Sequence, residues 1–498
     1  MRAITRKRTS AGGAEASRES NKWLVLTLVS LAQFMVVLDA TIVNVALPAI
    51  QSDLGFAQAD LQWVITAYTL AFGGFLLLGG RAGDLFGRKR LFLAGVALFT
   101  AASAVNGLAS SPGMLVAGRV AQGLGAALLA PAVLSIITTT FSEASERAKA
   151  LGIYSAISAG GAAFGLLAGG ALTEGASWPW IFFVNLPIGI ATILLALRLV
   201  PESRAETRQR LDLAGAASVT AGLTLLVYTI VKAESWGWAA TNTLALAAVA
   251  ILLLAAFALI ERRSAAPLVR LGIFRNRALT GANAVIMLAF AAMFAMFFFL
   301  SIYVQEILGY GALKAGLAFL PLSGGIVAGA GLAQQLIGRL GLRTVPLAGM
   351  VMSAVGMLLL SRIPVGGAYV TDLLPGLVLA SVGIGLTFMP MTLLATATVD
   401  PSEAGVASGL LNTAQQIGGA LGLAVLSTLA ASQTTSTLDG LGRAPSAADQ
   451  AAALVDGFQV ALLTAGGLML AGALLITALL RRRHVQGVDL TEPALVGA

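Results

Sequence analysis

The chain has 498 residues, 57% of them hydrophobic and only 11% charged, and its mean hydropathy of +0.88 implies more apolar surface than a water-soluble fold of this size can bury. Its net charge of +8 comes from basic residues lying beside apolar runs, which suits an anionic lipid surface and argues against nucleic acid as a partner. With no cysteine there is no disulfide, haem thioether or thiolate metal site, and the one histidine, His484, falls in a basic tail, so any proton chemistry rests on carboxylates.

Roughly fourteen apolar runs recur along the chain, each near the ~20 residues a helix needs to cross a bilayer. They lie near 24–47, 61–80, 91–109, 113–140, 148–173, 178–199, 211–231, 241–260, 279–304, 313–337, 344–362, 371–397, 406–432 and 457–480. Short segments of alternating polarity, the mark of a β-barrel, are absent, so the expected fold class is an all-α polytopic membrane protein. Residues 1–22 read as a cytoplasmic tail. The first run is too long for a signal-peptide core and carries Asp39 and Asn44, so it reads as a retained helix.

Between the second and third runs, residues 79–90 read Gly-Gly-Arg-Ala-Gly-Asp-Leu-Phe-Gly-Arg-Lys-Arg, a charged hinge between two spans. Six runs fill 23–199, and a linker with two further runs occupies 200–260. A second charged linker covers 261–277, six runs fill 278–480, and 481–498 is a second cytoplasmic tail. Ser432 to Asp456, rich in Ser, Thr, Ala and Asp, reads as the largest and a flexible outer loop. In the last block Gly338-Arg339-Leu340-Gly341-Leu342-Arg343 sits where the first has its hinge, which points to two six-helix halves related by a repeat.

Orientation follows from charge. With the N-terminus cytoplasmic, every Lys and Arg lies on the inner side except Arg119, Lys232, Lys314, Arg362 and Arg443. That partition supports an even number of helices with both termini inside, as expected for a multi-pass protein of the cell inner (plasma) membrane.

Several stretches carry a family resemblance. The hinge Gly80-Arg81-Ala82-Gly83-Asp84-Leu85-Phe86-Gly87-Arg88-Lys89 resembles the loop between helices two and three of the major facilitator superfamily. Leu38 to Pro48 (LDATIVNVALP) and Gly118-Arg119-Val120-Ala121-Gln122-Gly123 resemble helices one and four of its fourteen-helix drug:proton antiporters. Trp180 to Gly189 (WIFFVNLPIG) and Gly409 to Gly419 (GLLNTAQQIGG) are similar to further stretches of that family. The resemblance spans nearly the whole chain. It departs in helix five, where Gly165-Leu166-Leu167-Ala168-Gly169-Gly170 has Leu166 at the family's proline position, which implies a straighter helix and bears on the direction of transport.

The resemblance implies the major facilitator fold with two inserted central helices, and alternating access driven by a proton gradient with no cofactor. It also implies a hinge acting as a conformational latch, through Gly80, Asp84, Gly87, Arg88 and Lys89; the plainer reading is that these charges only fix topology. Asp39 and Arg119 are charges within the membrane, about 12 Å and 9 Å from the outer ends of their helices. Their matched depths suit a proton-coupling pair, with burial favouring the neutral form of Asp39 and Arg119 favouring the ionised form, or else a static pair stapling two helices.

Glu174 and Glu306, at outer helix ends, form either a solvated rim or an aid to proton entry and cationic substrates. Gln33, Asn44, Gln122, Asn283, Asn412, Gln415 and Gln416 either line a cavity or stitch the bundle. Phe294 and Phe298, in the Phe294 to Phe299 cluster, supply either an adaptable apolar wall or a lipid face.

No phosphate-binding loop is present, so no ATPase drive is implied, and no acid, histidine or nucleophile set suggests an enzyme. The expected function is proton-coupled export of an amphipathic drug- or antibiotic-like molecule. Uptake by symport and a non-transporting membrane sensor are the alternatives.

Overall fold

A computed structural model describes residues 2–58, 60–141, 143–202, 212–264, 267–399 and 404–480. The 481–498 tail with His484, and Arg204, Arg208 and Arg210 of the first linker, lie outside the described residues. The described secondary structure is entirely helical, the arrangement that satisfies backbone donors and acceptors within each segment when lipid supplies neither.

The first half contains α1 (Arg2–Leu54), α2 (Trp63–Phe86), α3 (Arg88–Gly107), α4 (Pro112–Thr140), α5 (Ala144–Gly175), α6 (Trp180–Phe183) and α7 (Asn185–Leu199). The helix of α1 extends through the stretch expected to be a tail. Ser111 starts α4 by accepting from the Met114 N–H at 3.3 Å, with Pro112 at the first helical position, where its missing N–H costs nothing. Helix α5 runs over 32 residues with Leu166 within it. The inserted pair is α8 (Leu213–Trp236) and α9 (Thr241–Arg263), joined to the second half by a strand of linker that buried Glu261 holds, accepting from the Leu268 and Val269 N–H groups at 3.2 and 3.0 Å.

The second half contains α10 (Arg277–Ile302), a π-turn at Tyr303–Ile307, α11 (Ala312–Ala318), α12 (Leu320–Leu360), α13 (Leu374–Ala397), α14 (Ala404–Asp439) and α15 (Ala447–Leu479). Twelve helical stretches among the described residues are long and apolar enough to cross a membrane. Ala312–Leu360, counted there once, carries two of the predicted runs, because α12 folds back at Gly341. Gly329 on one arm and Gly349 on the other both pack against α13 near Gly383 and Gly385, which a straight helix of this length cannot do.

The loop expected over Ser432 to Asp456 is shorter than composition suggests. Thr434 donates to the carbonyls of Ala430 and Ala453 at 2.9 and 3.1 Å, and Thr437 donates to Asp456 at 3.3 Å, so packing on α15 keeps this threonine-rich stretch helical to Asp439. A capping box of Ser446 and Asp449 then opens α15.

The predicted repeat is visible at one face of the bundle. Gly87 (φ 103°, ψ 134°) and Gly341 (φ 83°, ψ 161°) make the two equivalent turns, in a region of backbone space that favours glycine. We call this the hinge face and its opposite the far face. At the far face the halves meet directly: Ser301 Oγ donates to the Asn44 carbonyl at 2.5 Å, and Glu174 accepts from the Leu313 N–H at 2.9 Å. Gly170 and Gly316 let α5 and α11 come into backbone contact beside them.

The inserted helix α8 lies across another seam. Leu223, Val227 and Val231 form one apolar cluster with Leu70 of α2 and with Ala420 and Ala424 of α14. Near its end Lys232 pairs with Asp60 of the first half at 3.0 Å, while Thr428 of the second half donates to the Ile230 carbonyl at 3.3 Å.

Candidate functional site

Asp39, Arg119 and Gln122 are all fully buried, and they meet inside the first half. Arg119 and Gln122, three residues apart on α4, share one face of that helix, as do Ser103 and Asn106 on α3. A Cβ at position 118 would strike the Asn106 amide, so Gly118 is what lets α3 and α4 close around the group.

Arg119 Nη1 pairs with Asp39 Oδ2 and also donates to Gln122 Oε1 at 2.9 Å, while Nε donates to the Val64 carbonyl at 2.8 Å. The other carboxylate oxygen, Oδ1, accepts from Gln122 Nε2 at 2.9 Å and from Asn185 Nδ2 at 3.0 Å. Gln122 Nε2 also reaches Ser103 Oγ at 2.7 Å, and Asn106 Nδ2 donates to Gln122 Oε1 at 2.6 Å. The guanidinium sits 4.4 Å above the Tyr68 ring.

A buried ion is tolerable only when its lone pairs and protons are all engaged, and here Arg119 and Gln122 of α4 and Asn185 of α7 engage both oxygens of Asp39, with Ser103 and Asn106 of α3 holding the amides. Three buried polar atoms at the cluster lack a protein partner: Tyr68 OH, Asn106 Oδ1 and Asn185 Oδ1.

The hinge holds a second arrangement, repeated in both halves. Two residues past Gly87, Lys89 donates to the Leu197 carbonyl in the last turn of α7 at 2.8 Å. Two residues past Gly341, Arg343 donates to the Thr477 carbonyl in the last turn of α15 at 3.1 Å. Each cation thus caps the negative end of the final helix of its own half. Arg90 pairs with Glu202 at 3.6 Å, and Glu202 lies against Gly87. Gly80 is near Pro131 of α4, and Arg88 is half-buried. The side chains of Arg81 and Asp84 lie outside the described residues.

Residues 29–423 match the family described as Major Facilitator Superfamily. The chain belongs to that superfamily. Among major facilitator relatives, it is 44% identical over 482 residues to the puromycin resistance protein pur8 of Streptomyces alboniger, covering 96% of this chain and 95% of that protein. It is 41% identical over 436 residues to the cephamycin export protein CmcT of Amycolatopsis lactamdurans, covering 87% and 90%. The fold matches solved major facilitator-like structures, including a bacterial homologue of the human lysosomal transporter Spinster in an inward-facing, unoccupied conformation, with a TM-score of 0.65, 16% identity, and coverage of 93% of this chain and 98% of that one. This major facilitator chain is therefore a multi-pass membrane transporter.

The remaining candidate residues of the transporter are dispersed. Gln33 is half-buried, with Oε1 unpartnered. Asn44 donates to the Ala40 and Thr41 carbonyls of its own helix, and Asn283 to that of Leu279. Asn412, Gln415 and Gln416 are half-buried on α14, with Gln416 against Gly73 of α2. Phe294 is half-buried and its ring lies 6.3 Å from that of Phe290, which is 5.9 Å from Phe388. Phe298 is buried at 2% exposure, edge-on to Phe299. Glu174 belongs to the far-face contact already described, and Glu306 is exposed on the π-turn.

Sequence reasoning singled out Gln122 but did not place it at Asp39, and it passed over Ser103, Asn106, Tyr68 and Asn185. The signal for the α3 pair was two polar residues one turn apart in an apolar helix. For Asn185 it was a single amide inside the apolar run Trp180 to Gly189.

Proposed function

We propose that this transporter exports amphipathic drug- or antibiotic-like molecules in exchange for protons, with the hinge face cytoplasmic and both termini inside at the cell inner membrane. The observation that carries the reading is a single carboxylate, Asp39, sealed inside one half and held by Arg119, Gln122 and Asn185. A buried acid whose partners change when the halves rock is a site where a proton binds in one state and leaves in the other. The resistance and export roles named for pur8 and CmcT supply the substrate class and direction, and the basic residues of the hinges supply the orientation. Protons, an amphipathic substrate and membrane lipids are then its partners, and the proton gradient replaces any cofactor. The far-face contacts through Ser301 and Glu174 represent a state closed to the outside.

The test uses proteoliposomes carrying an imposed pH gradient, with puromycin and a panel of cationic, anionic and neutral lipophilic probes. Gradient-dependent transport of at least one probe is expected from the wild-type protein and at least tenfold less from Asp39→Asn. Equal gradient dependence in the two proteins would rule out Asp39 as the carrier.

A further inference from the structure

The cluster has a feature that a static ion pair does not need. Gln122 is fully committed, its oxygen accepting from Arg119 and Asn106 and its nitrogen donating to Asp39 and Ser103. Asn185 is only half committed: its nitrogen serves Asp39 and Ser103, while its oxygen is buried without a protein partner. Every group now touching the Asp39 carboxylate is a donor, which suits an anion and leaves a protonated acid with nothing to donate to. Among those groups, Asn185 is the one carrying an unused acceptor.

We infer that Asn185 is the positioning residue of the proton site: its amide donates Nδ2–H to ionised Asp39 and turns over to present Oδ1 to the O–H of protonated Asp39. This rests on the proton-carrier reading of Asp39. In the step, one proton from water binds the carboxylate oxygen, no covalent bond of the amide changes, and the same proton returns to water when the halves rock. The turn gives up the donation to the anion, together with the longer one to Ser103 at 3.3 Å, and gains an acceptor for the acid O–H, so both charge states of the carboxyl keep a partner, which lowers the cost of changing charge in a buried place.

The surroundings leave few other groups to do this. Charged and titratable groups facing Asp39 are Arg119 from α4 and Tyr68 from α2. From α3 come Ser103 and Asn106, α5 turns Gly161, Gly165 and Gly169 toward α1, and α10 reaches α1 through Ser301.

The experiment is infrared titration of the purified full-length protein in detergent, following the carboxylic-acid C=O band that Asp39→Asn removes. Asn185→Leu is expected to move the midpoint of that band up by about one pH unit, because the lost bond to the anion is the stronger of the two. It should also shift the band to higher wavenumber, because the acid O–H has lost its acceptor. Asn185→Ala, which cannot overpack the site, gives the same result if Asn185→Leu does not fold. An unchanged midpoint or an unchanged band position overturns the role of Asn185 and leaves the carrier reading standing. If the wild-type protein shows no Asp39-dependent band at any pH at which it stays folded, the carrier reading fails and this inference fails with it.

Discussion

In the first half, α1, α3, α4 and α7 are drawn together by a buried carboxylate, a guanidinium and three amides, whereas in the second half α12 and α13 close through Gly329, Gly349, Gly383 and Gly385. The polar groups at that second junction are neutral hydroxyls, with Ser353 donating to the Ala380 carbonyl at 3.0 Å and Thr387 to that of Gly383 at 2.9 Å. The same six-helix plan is therefore held by directional, charge-dependent bonds on one side and by close backbone approach on the other. Only the first kind responds to a proton. A proton gained or lost at Asp39 would alter the bonding among four helices of the first half, while among the described residues no buried carboxylate stands at the α12–α13 junction.

The strongest way to break this contrast is Arg119→Met, which leaves Asp39 buried and unpaired and should cost about 3–5 kcal/mol. Thermal unfolding in detergent measures it, and adding Asp39→Asn should recover much of the loss, since the cost lies in the stranded charge. Recovery below the error of the measurement would mean that the pair holds the helices by packing and not by charge.

Next in size, Gly385→Val places a branched side chain against the Ile326 carbonyl and should destabilise by roughly 1–3 kcal/mol or more, with no change in how stability depends on pH. A pH-dependent loss would show that the second half also carries a charge-linked contact.

Glu174→Gln has a smaller expected effect. It weakens the contact with the Leu313 N–H that holds the halves together at the far face, and a bond of about 1 kcal/mol changes the closed-to-open ratio about fivefold. Spin-label distances across the α5–α11 seam would report it. The chain has no native cysteine to remove before labels are introduced.

The smallest effects should come from the hinge caps. Lys89→Ala and Arg343→Ala should each cost about 0.3–1 kcal/mol, and by similar amounts, since each removes the same kind of cap from equivalent helix ends. A clear inequality would show that one hinge carries a duty beyond capping.

Apolar run lengths were enough to read an all-helical, multi-pass fold, because lipid enforces long helices and charge marks the turns between them; twelve of the described stretches are long and apolar enough to cross a membrane, and the predicted run 148–173 is not one of them. The echo at Gly338 to Arg343 was a faint pattern in sequence, yet in the structure Gly341 and Arg343 repeat the backbone turn and the carbonyl contact of Gly87 and Lys89. Depth along two antiparallel helices was likewise enough to bring Asp39 and Arg119 to the same level.

What escaped was rotation about the helix axes. For Asn44, Asn283 and Phe298 residue type alone left open whether they line a cavity; in the structure the two asparagines donate to carbonyls of their own helices and Phe298 is buried. Gln122 and Asn185 face the charge because neighbouring helices fix their orientation, and one helix read alone does not show that. The end of α14 was missed for a related reason: its threonines look like loop residues until α15 supplies the carbonyl and carboxylate that hold them.

The position of α8 gives the bundle two unlike flanks. Between α2 and α14 the junction of the halves is sheathed by α8, with α9 beyond it presenting Leu244, Ile251 and Leu252 outward. The junction of α5 and α11 carries no such sheath among the described residues and is closed by its own buried glycines, Gly170 and Gly316. The pair α8 and α9 thus makes the two flanks of the exporter unlike, one seam covered by an apolar helix and the other closed by close backbone approach between its own helices.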